Sequence, residues 1–259
     1  MTLESMFSLS GKKALIAGAS RGIGLAIAQA TAAAGARTIL AARSMDKLEA
    51  EARALREAGY QAETASLDVT DNDSIAAVAE AHPDVDILVV VAGTNIRKRF
   101  EQYTPEEYQH VMQTNLHGPA LLTQRVGAKI IERGQGGKIV LIGSLASLLG
   151  IPYISIYSMT KSALAGLTRT LAVEWAPHDI QINCIAPGFI LTDLNRKMWE
   201  APEMHQWLAG VQANPRLGTP EDIAGLSVFL SSPAANYMTG QVIASDGGYT
   251  ASARWPLKA

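Results

Sequence analysis

The chain has 259 residues, 48% of them hydrophobic and 18% charged, with a formal net charge of −2. That length suits one large α/β domain as well as two small ones, and the near-neutral balance offers no basic surface for nucleic acid or an anionic membrane. The single Cys184 excludes an intrachain disulfide and a cysteine-rich metal site, and His82, His110, His117, His178 and His205 show no metal-ligand spacing, so no metal is expected.

The opening MTLESMFSLSGKK lacks the basic-then-apolar order of a signal peptide, and the most apolar run, 86-DILVVVAG-93, is too short to span a membrane. A cytoplasmic address is the default expectation. In chain order, strands are expected near 13–18, 37–42, 61–67, 86–92, 137–143, 180–186 and 240–245. Helices are expected near 22–34, 45–58, 71–81, 104–132, 153–176 and 219–231. Strand-helix alternation over the whole length predicts an α/β fold, a parallel sheet covered on both faces, and several strands read as the continuous apolar runs such burial requires. Asp71 or Asp73 caps one helix, Thr104-Pro105-Glu106-Glu107 and Thr219-Pro220-Glu221-Asp222 start two others, and Gly35 and Gly59 end two. A single domain over 1–259 is expected. The segment 188–218, with Trp199, Pro202, Trp207 and Pro215, interrupts the rhythm as a helical insertion, either a lid or a surface hairpin.

The first strand runs into Gly18-x-x-x-Gly22-x-Gly24 and then an apolar helix. Glycines there let the backbone turn tightly against a pyrophosphate, which the N–H groups and partial positive charge of the helix N-terminus attract. The spacing differs from G-x-G-x-x-G, since position 27 is Ile. After the second strand, 40-LAARS-44 carries no carboxylate for a ribose 2′-hydroxyl; Arg43, with Arg21 in the glycine turn, suits a 2′-phosphate, which favours NADP over NAD. Asp68 either accepts from an adenine amino group or serves as a turn acid. Further along, Tyr157 and Lys161 are four apart, on one face of a helix and about 6 Å apart along its axis. An ammonium beside a phenol favours the phenolate.

Together GASRGIG, Asp68, Ala92-Gly93, Asn115, Ser144, the Tyr157-x-x-x-Lys161 pair and 183-NCIAPGFILTD-193 resemble the short-chain dehydrogenase/reductase family, from about Leu9 to Tyr249. The resemblance implies one doubly wound Rossmann-like domain with a seven-stranded sheet in the order 3-2-1-4-5-6-7. It implies a tetrad in which Tyr157 exchanges the proton, Ser144 hydrogen-bonds the substrate oxygen, Lys161 lowers the Tyr157 pKa and holds the ribose, and Asn115 positions a relay water. It further implies a cofactor site of Gly18, Ser20, Arg21, Gly22, Ile23, Gly24, Arg43, Ser44, Asp68, Val69, Ala92, Gly93, Tyr157, Lys161, Pro187, Gly188, Ile190 and Thr192. Where the family usually writes Asn-Asn-Ala-Gly, this chain has Val90-Val91-Ala92-Gly93, so packing has to replace a hydrogen-bond network there.

Within the family, 94–108 and 202–223 look most like gluconate 5-dehydrogenases and keto-sugar reductases. Arg97, Lys98 and Arg99 would attract an anionic substrate, or form a solvated turn. Asn95, Leu145, Ile151 and Trp199 are the candidate substrate contacts. The rivals are a 3-oxoacyl-carrier-protein reductase, against which Val173 before Glu174 speaks, a general ketone reductase, and a cofactor-binding regulator or scaffold without turnover. The resemblance also implies a homotetramer, with Trp255 and Pro256 in the tail as anchors.

Overall fold

The computed structural model describes residues 2–193 and 195–252. A short helix α1 (Leu3–Phe7) precedes β1 (Lys13–Ala17), α2 (Gly22–Ala33), β2 (Arg37–Ala42), α3 (Met45–Glu57), β3 (Ala62–Ser66), α4 (Asn72–Ala81) and β4 (Ile87–Val90). Then follow α5 (Pro105–Met112), α6 (Gly118–Arg133), β5 (Gly137–Ile142), α7 (Ser155–Glu174), β6 (Ile180–Pro187), α8 (Arg196–Trp199), α9 (Pro202–Val211), α10 (Pro220–Ser231) and β7 (Val242–Ser245). The seven strands form one sheet in the order β3-β2-β1-β4-β5-β6-β7, every pair parallel.

Strand alternation divides the core into two layers. Ile16, Leu40, Val89, Val140 and Ile185 face one way, onto Ile27 of α2, Leu48 of α3 and Ile223 of α10. Leu15, Ile39, Leu88, Ile139 and Ile182 face the other way, onto Ile75 of α4, Leu122 of α6 and Leu164 of α7. Val90 belongs to this second layer and is 2% exposed, so packing does occupy the place of the family's asparagine. The strand order reverses between β1 and β4, and in such sheets the crevice beyond the carboxyl ends at that point is where ligands bind.

Local chemistry fixes the boundaries. Thr104 and Glu107 bond each other's backbone N–H groups at 3.2 and 2.9 Å, with Pro105 in the first turn, and start α5. Asp71, rather than Asp73, caps α4, accepting from Asp73 N at 2.9 Å. Gly35 and Gly59 follow α2 and α3 with φ of +100° and +89°. Two details differ from the expected elements. The helix expected over 104–132 is broken by a π-helical turn, Gln113–His117, which carries Asn115, and α1 lies in a stretch where the sequence pattern indicates no helix. Over 188–218 the chain forms α8 and α9, a helical insertion between β6 and α10. Among the described residues no helix is long and apolar enough to cross a membrane.

Candidate active site

Ser144 follows β5, and Tyr157 and Lys161 lie one turn apart on α7, so sheet and helix bring all three to the carboxyl edge. The Ser144 hydroxyl lies near the Tyr157 phenol and favours its ionised form, while its oxygen accepts from Ala146 N at 3.1 Å. Burial pushes the phenol above its ordinary pKa, and the nearby Ser144 hydroxyl only partly opposes this. The expected lowering by Lys161 is therefore not the outcome in the protein alone. The reason is geometric: Lys161 Nζ lies 5.7 Å from the Tyr157 ring centroid and donates to the Ile142 carbonyl at 2.7 Å. Lys161 is itself 3% exposed, and burial pushes its ammonium down to about 8, opposed by the nearby Cys184.

Asn115 is fully buried and holds the loop after β4. Its Oδ1 accepts from Thr94 N at 2.7 Å, while Nδ2 donates to Thr94 O at 2.8 Å and to Thr160 Oγ1 at 3.4 Å. Both amide donors are thus engaged, and only Oδ1 retains capacity for a water. A Cβ on Gly93 would lie 3.5 Å from Asn115 Oδ1 and 3.6 Å from Lys161 Nζ, so these three residues converge. Several supporting groups lie outside the motif residues named from the sequence. Ser147 Oγ donates to Lys161 O at 2.9 Å and Ser162 Oγ to Ala146 O at 3.2 Å, pinning the turn after Ser144 onto α7. Asn195 accepts from Thr192 N and donates to Ile190 O, both at 2.8 Å, and so shapes the loop after β6. Hydroxyls and amides of this kind recur along any surface, which is why pattern alone does not single them out.

The glycine turn is a cradle that side chains would fill. Gly18 has φ +98°, and a Cβ there would come within 2.8 Å of Ala92 N; one on Gly24 would meet Gly18 O at 2.1 Å. Gly22, with φ +55°, faces the Thr192 methyl, which a Cβ would meet at 3.4 Å. Turn, β4 end and β6 loop therefore come together, with Ser20 and Ile23 half-buried between them and Pro187 ending β6 beside Gly188. Ile190 is buried and bridges to Gly218. Arg21, Arg43 and Ser44 are exposed at the ends of β1 and β2. Asp68 accepts from Thr70 N at 2.9 Å and from its hydroxyl at 2.7 Å, so it is a turn acid whatever else it binds. Burial raises its carboxyl, but those bonds and the field of Arg43 outweigh it and leave the pKa low. Val69 is buried, its carbonyl packed closely on Gly118. Gly24→Ala is expected to weaken NADPH binding about tenfold or more, because overpacking costs about 1–3 kcal/mol and the clash is with backbone; fluorescence titration checks it.

Around the substrate side, Asn95 is exposed and Ile151 half-buried, whereas Leu145 and Trp199 are each 2% exposed. Trp199 packs edge-on against Phe189 at 5.5 Å. The three basic residues separate. Lys98 Nζ is held by both Glu107 oxygens at 2.8 Å, and Arg99 lies 4.0 Å from Glu101. Arg97 has no carboxylate partner among the described residues and reaches Met198 of α8, with Nη1 3.0 Å from its sulfur.

Comparison with known proteins agrees with this geometry. A family model described as enoyl-(acyl carrier protein) reductase matches residues 18–250. The chain is 38% identical to gluconate 5-dehydrogenase of Gluconobacter oxydans over 97% of its length and 100% of the relative's. It is 34% identical to 5-keto-D-gluconate 5-reductase of Escherichia coli over 95% of this chain and 98% of the relative. The crystal structure of a gluconate 5-dehydrogenase from Burkholderia cenocepacia in complex with NADP and tartrate superposes with a TM-score of 0.93, at 34% identity, covering 97% of this chain and 100% of that one.

Proposed function

The chain belongs to the short-chain dehydrogenase/reductase family, and from that premise we propose that it interconverts a keto-sugar acid and the corresponding secondary alcohol with NADP(H). The observation that carries the reaction is the convergence of Ser144, Tyr157 and Lys161 beside the glycine cradle at one edge of the sheet. NADPH, held by Gly18, Gly22, Gly24, Ala92, Gly93 and Thr192, supplies the hydride when bound.

The chain's own residues manage the proton and the charge. Ser144 Oγ and Tyr157 Oη, close to each other, can each donate to one carbonyl oxygen. A raised phenol pKa keeps Tyr157 protonated at neutral pH, ready to donate. The Lys161 ammonium, with a pKa of about 8, is mostly charged at pH 7 and stabilises the phenolate left behind. Asn115 bonds Thr94 and Thr160, and so holds the loop that carries Gly93 beside that ammonium.

Arg97 supports the substrate class: it is the cation of the 97–99 turn with no carboxylate partner among the described residues, and it reaches Met198 of the α8–α9 insertion. A sugar-acid carboxylate suits it, as the names of the relatives suggest. In this reading α8 and α9 close over the substrate as a lid. A carrier-protein role is less favoured, because Val173 is 78% exposed where a basic residue would meet an acidic partner. The same exposed residue, with Met159 on the same helix, suits a homotetramer built on α7, with the protein in the cytoplasm; the tail anchors Trp255 and Pro256 lie outside the described residues.

A panel of 5-keto-D-gluconate, an uncharged cyclic ketone and a 3-oxoacyl thioester, each with NADPH, tests the assignment. The keto-acid is expected to have the highest kcat/KM. A faster thioester or ketone refutes the substrate class, and NADPH binding with no turnover of any compound supports a scaffold. For the cofactor, Arg43→Ala is expected to raise KM for NADPH about tenfold or more and leave that for NADH unchanged, since a charge-assisted contact is worth about 1.5–3 kcal/mol.

A further inference from the structure

At the amino ends of β4, β5 and β6, across the sheet from Ser144 and Tyr157, lies a cavity of about 620 Å³. It is bounded by α1 and the chain leading to β1, by the turns entering β5 and β6, and by the end of α10. Its lining is mainly polar: hydroxyls and amides such as Ser5, Ser10, Gln135, Gln181 and Asn236 stand beside Lys12, Lys138 and the carboxylates of Glu4, Asp86 and Asp179. Its volume is in the range of small-molecule sites, but its chemistry suits a ligand rich in oxygen rather than an apolar one.

Two groups in this wall lack the partners their burial calls for. Lys138 is only 9% exposed, and its Nζ donates to Asn236 Oδ1 at 2.7 Å; among the described residues it forms no ion pair. An ammonium has three donors, and an unpaired buried charge is costly. Burial pushes its pKa down to about 8, with Asp179 opposing from beyond pairing distance. Two of the three lining carboxylates are engaged elsewhere, Asp86 by Arg133 at 3.1 Å and Lys12 at 3.6 Å and Asp179 by Gln181 at 2.9 Å, and the third, Glu4, is exposed on α1. Ser231 Oγ, at the end of α10, is buried with no hydrogen-bond partner among the described residues.

We propose that this cavity is a second ligand site that takes a polyhydroxylated carboxylate, with the carboxylate on Lys138 and the hydroxyls on the surrounding serines and amides. An anion there completes the donors of Lys138, and hydroxyls both give and accept bonds with a mixed serine and amide wall. The site shares no lining residue with the catalytic edge, so it can fill independently of turnover. Only the choice of D-gluconate as probe rests on the proposed sugar-acid activity.

Calorimetric titration of the NADPH-saturated protein with D-gluconate tests the site, with D-sorbitol and inorganic phosphate as comparison probes. Two gluconate equivalents per chain are expected. One of them should weaken about tenfold or more in Lys138→Met, the loss of one charged hydrogen bond, with kcat/KM for the keto-acid within about twofold of wild type. Gln135→Trp, a change on an exposed rim residue, should abolish the same equivalent by closing the mouth, and it decides the matter if Lys138→Met does not fold. Gluconate binding insensitive to both variants overturns the proposal. So does sorbitol binding as tightly as gluconate, or Lys138-dependent binding of phosphate alone. Loss of only the Lys138-independent equivalent counts against the sugar-acid activity and leaves this site standing.

Discussion

Tyr157→Phe is expected to lower kcat for carbonyl reduction by about three orders of magnitude, within the range that a positioned general acid contributes, while NADPH affinity stays within about twofold. The change removes one oxygen and keeps the ring, so packing on α7 is retained. What it removes is the phenol hydroxyl beside Ser144, the proton donor of the proposed reaction. The Ser144 hydroxyl still reaches the substrate oxygen, which is why residual activity should exceed that of a Ser144→Ala, Tyr157→Phe double variant. Stopped-flow single turnovers separate the chemical step from cofactor release. A variant retaining more than about a tenth of wild-type turnover means that the proton comes from elsewhere.

Lys161→Met carries the second large effect, an expected fall in kcat/KM of about a hundredfold or more from the loss of charge stabilisation at a buried site. Its pH dependence is more diagnostic. The charged form is the one that supports the phenolate, so reduction by the wild type should decline as pH rises through about 8, where the Lys161 ammonium titrates. In Lys161→Met that limb should vanish. Stability moves oppositely. The folded pKa lies below the ordinary lysine value of 10.5, so between about 8 and that value the unfolded chain holds more protons. Lys161 therefore destabilises the fold below about 8, and that penalty is relieved as pH rises through this window. A pH–rate profile and a pH series of melting temperatures, each on both proteins, check the two signs.

Much of this was legible in the sequence because it is written in local patterns. Continuous apolar runs such as 86–92 and 137–143 marked the buried parallel strands, and Thr104-Pro105 and Gly35 set helix ends by chemistry confined to a few residues. The glycine turn was legible for the same reason, since each glycine answers a steric demand of its own. The π-helical turn at Asn115 was not, because what stabilises it is a pair of bonds to the backbone of Thr94, twenty-one residues away. Nor was the fate of 97–99. Three adjacent cations look alike in sequence, and only the fold shows Lys98 against Glu107 and Arg97 against Met198. The direction of the Tyr157 shift followed from depth of burial, opposed only in part by the Ser144 hydroxyl, and not from the Lys161 charge that spacing alone suggested.

The most direct test of the central claim is the fate of deuterium from NADPH labelled at nicotinamide C4 during reduction of 5-keto-D-gluconate. The account predicts that the label on the transferred face appears wholly on the former carbonyl carbon of the product, and that Tyr157→Phe slows this transfer without redirecting it. Label found in water, or NADPH consumed with none in the product, would contradict it.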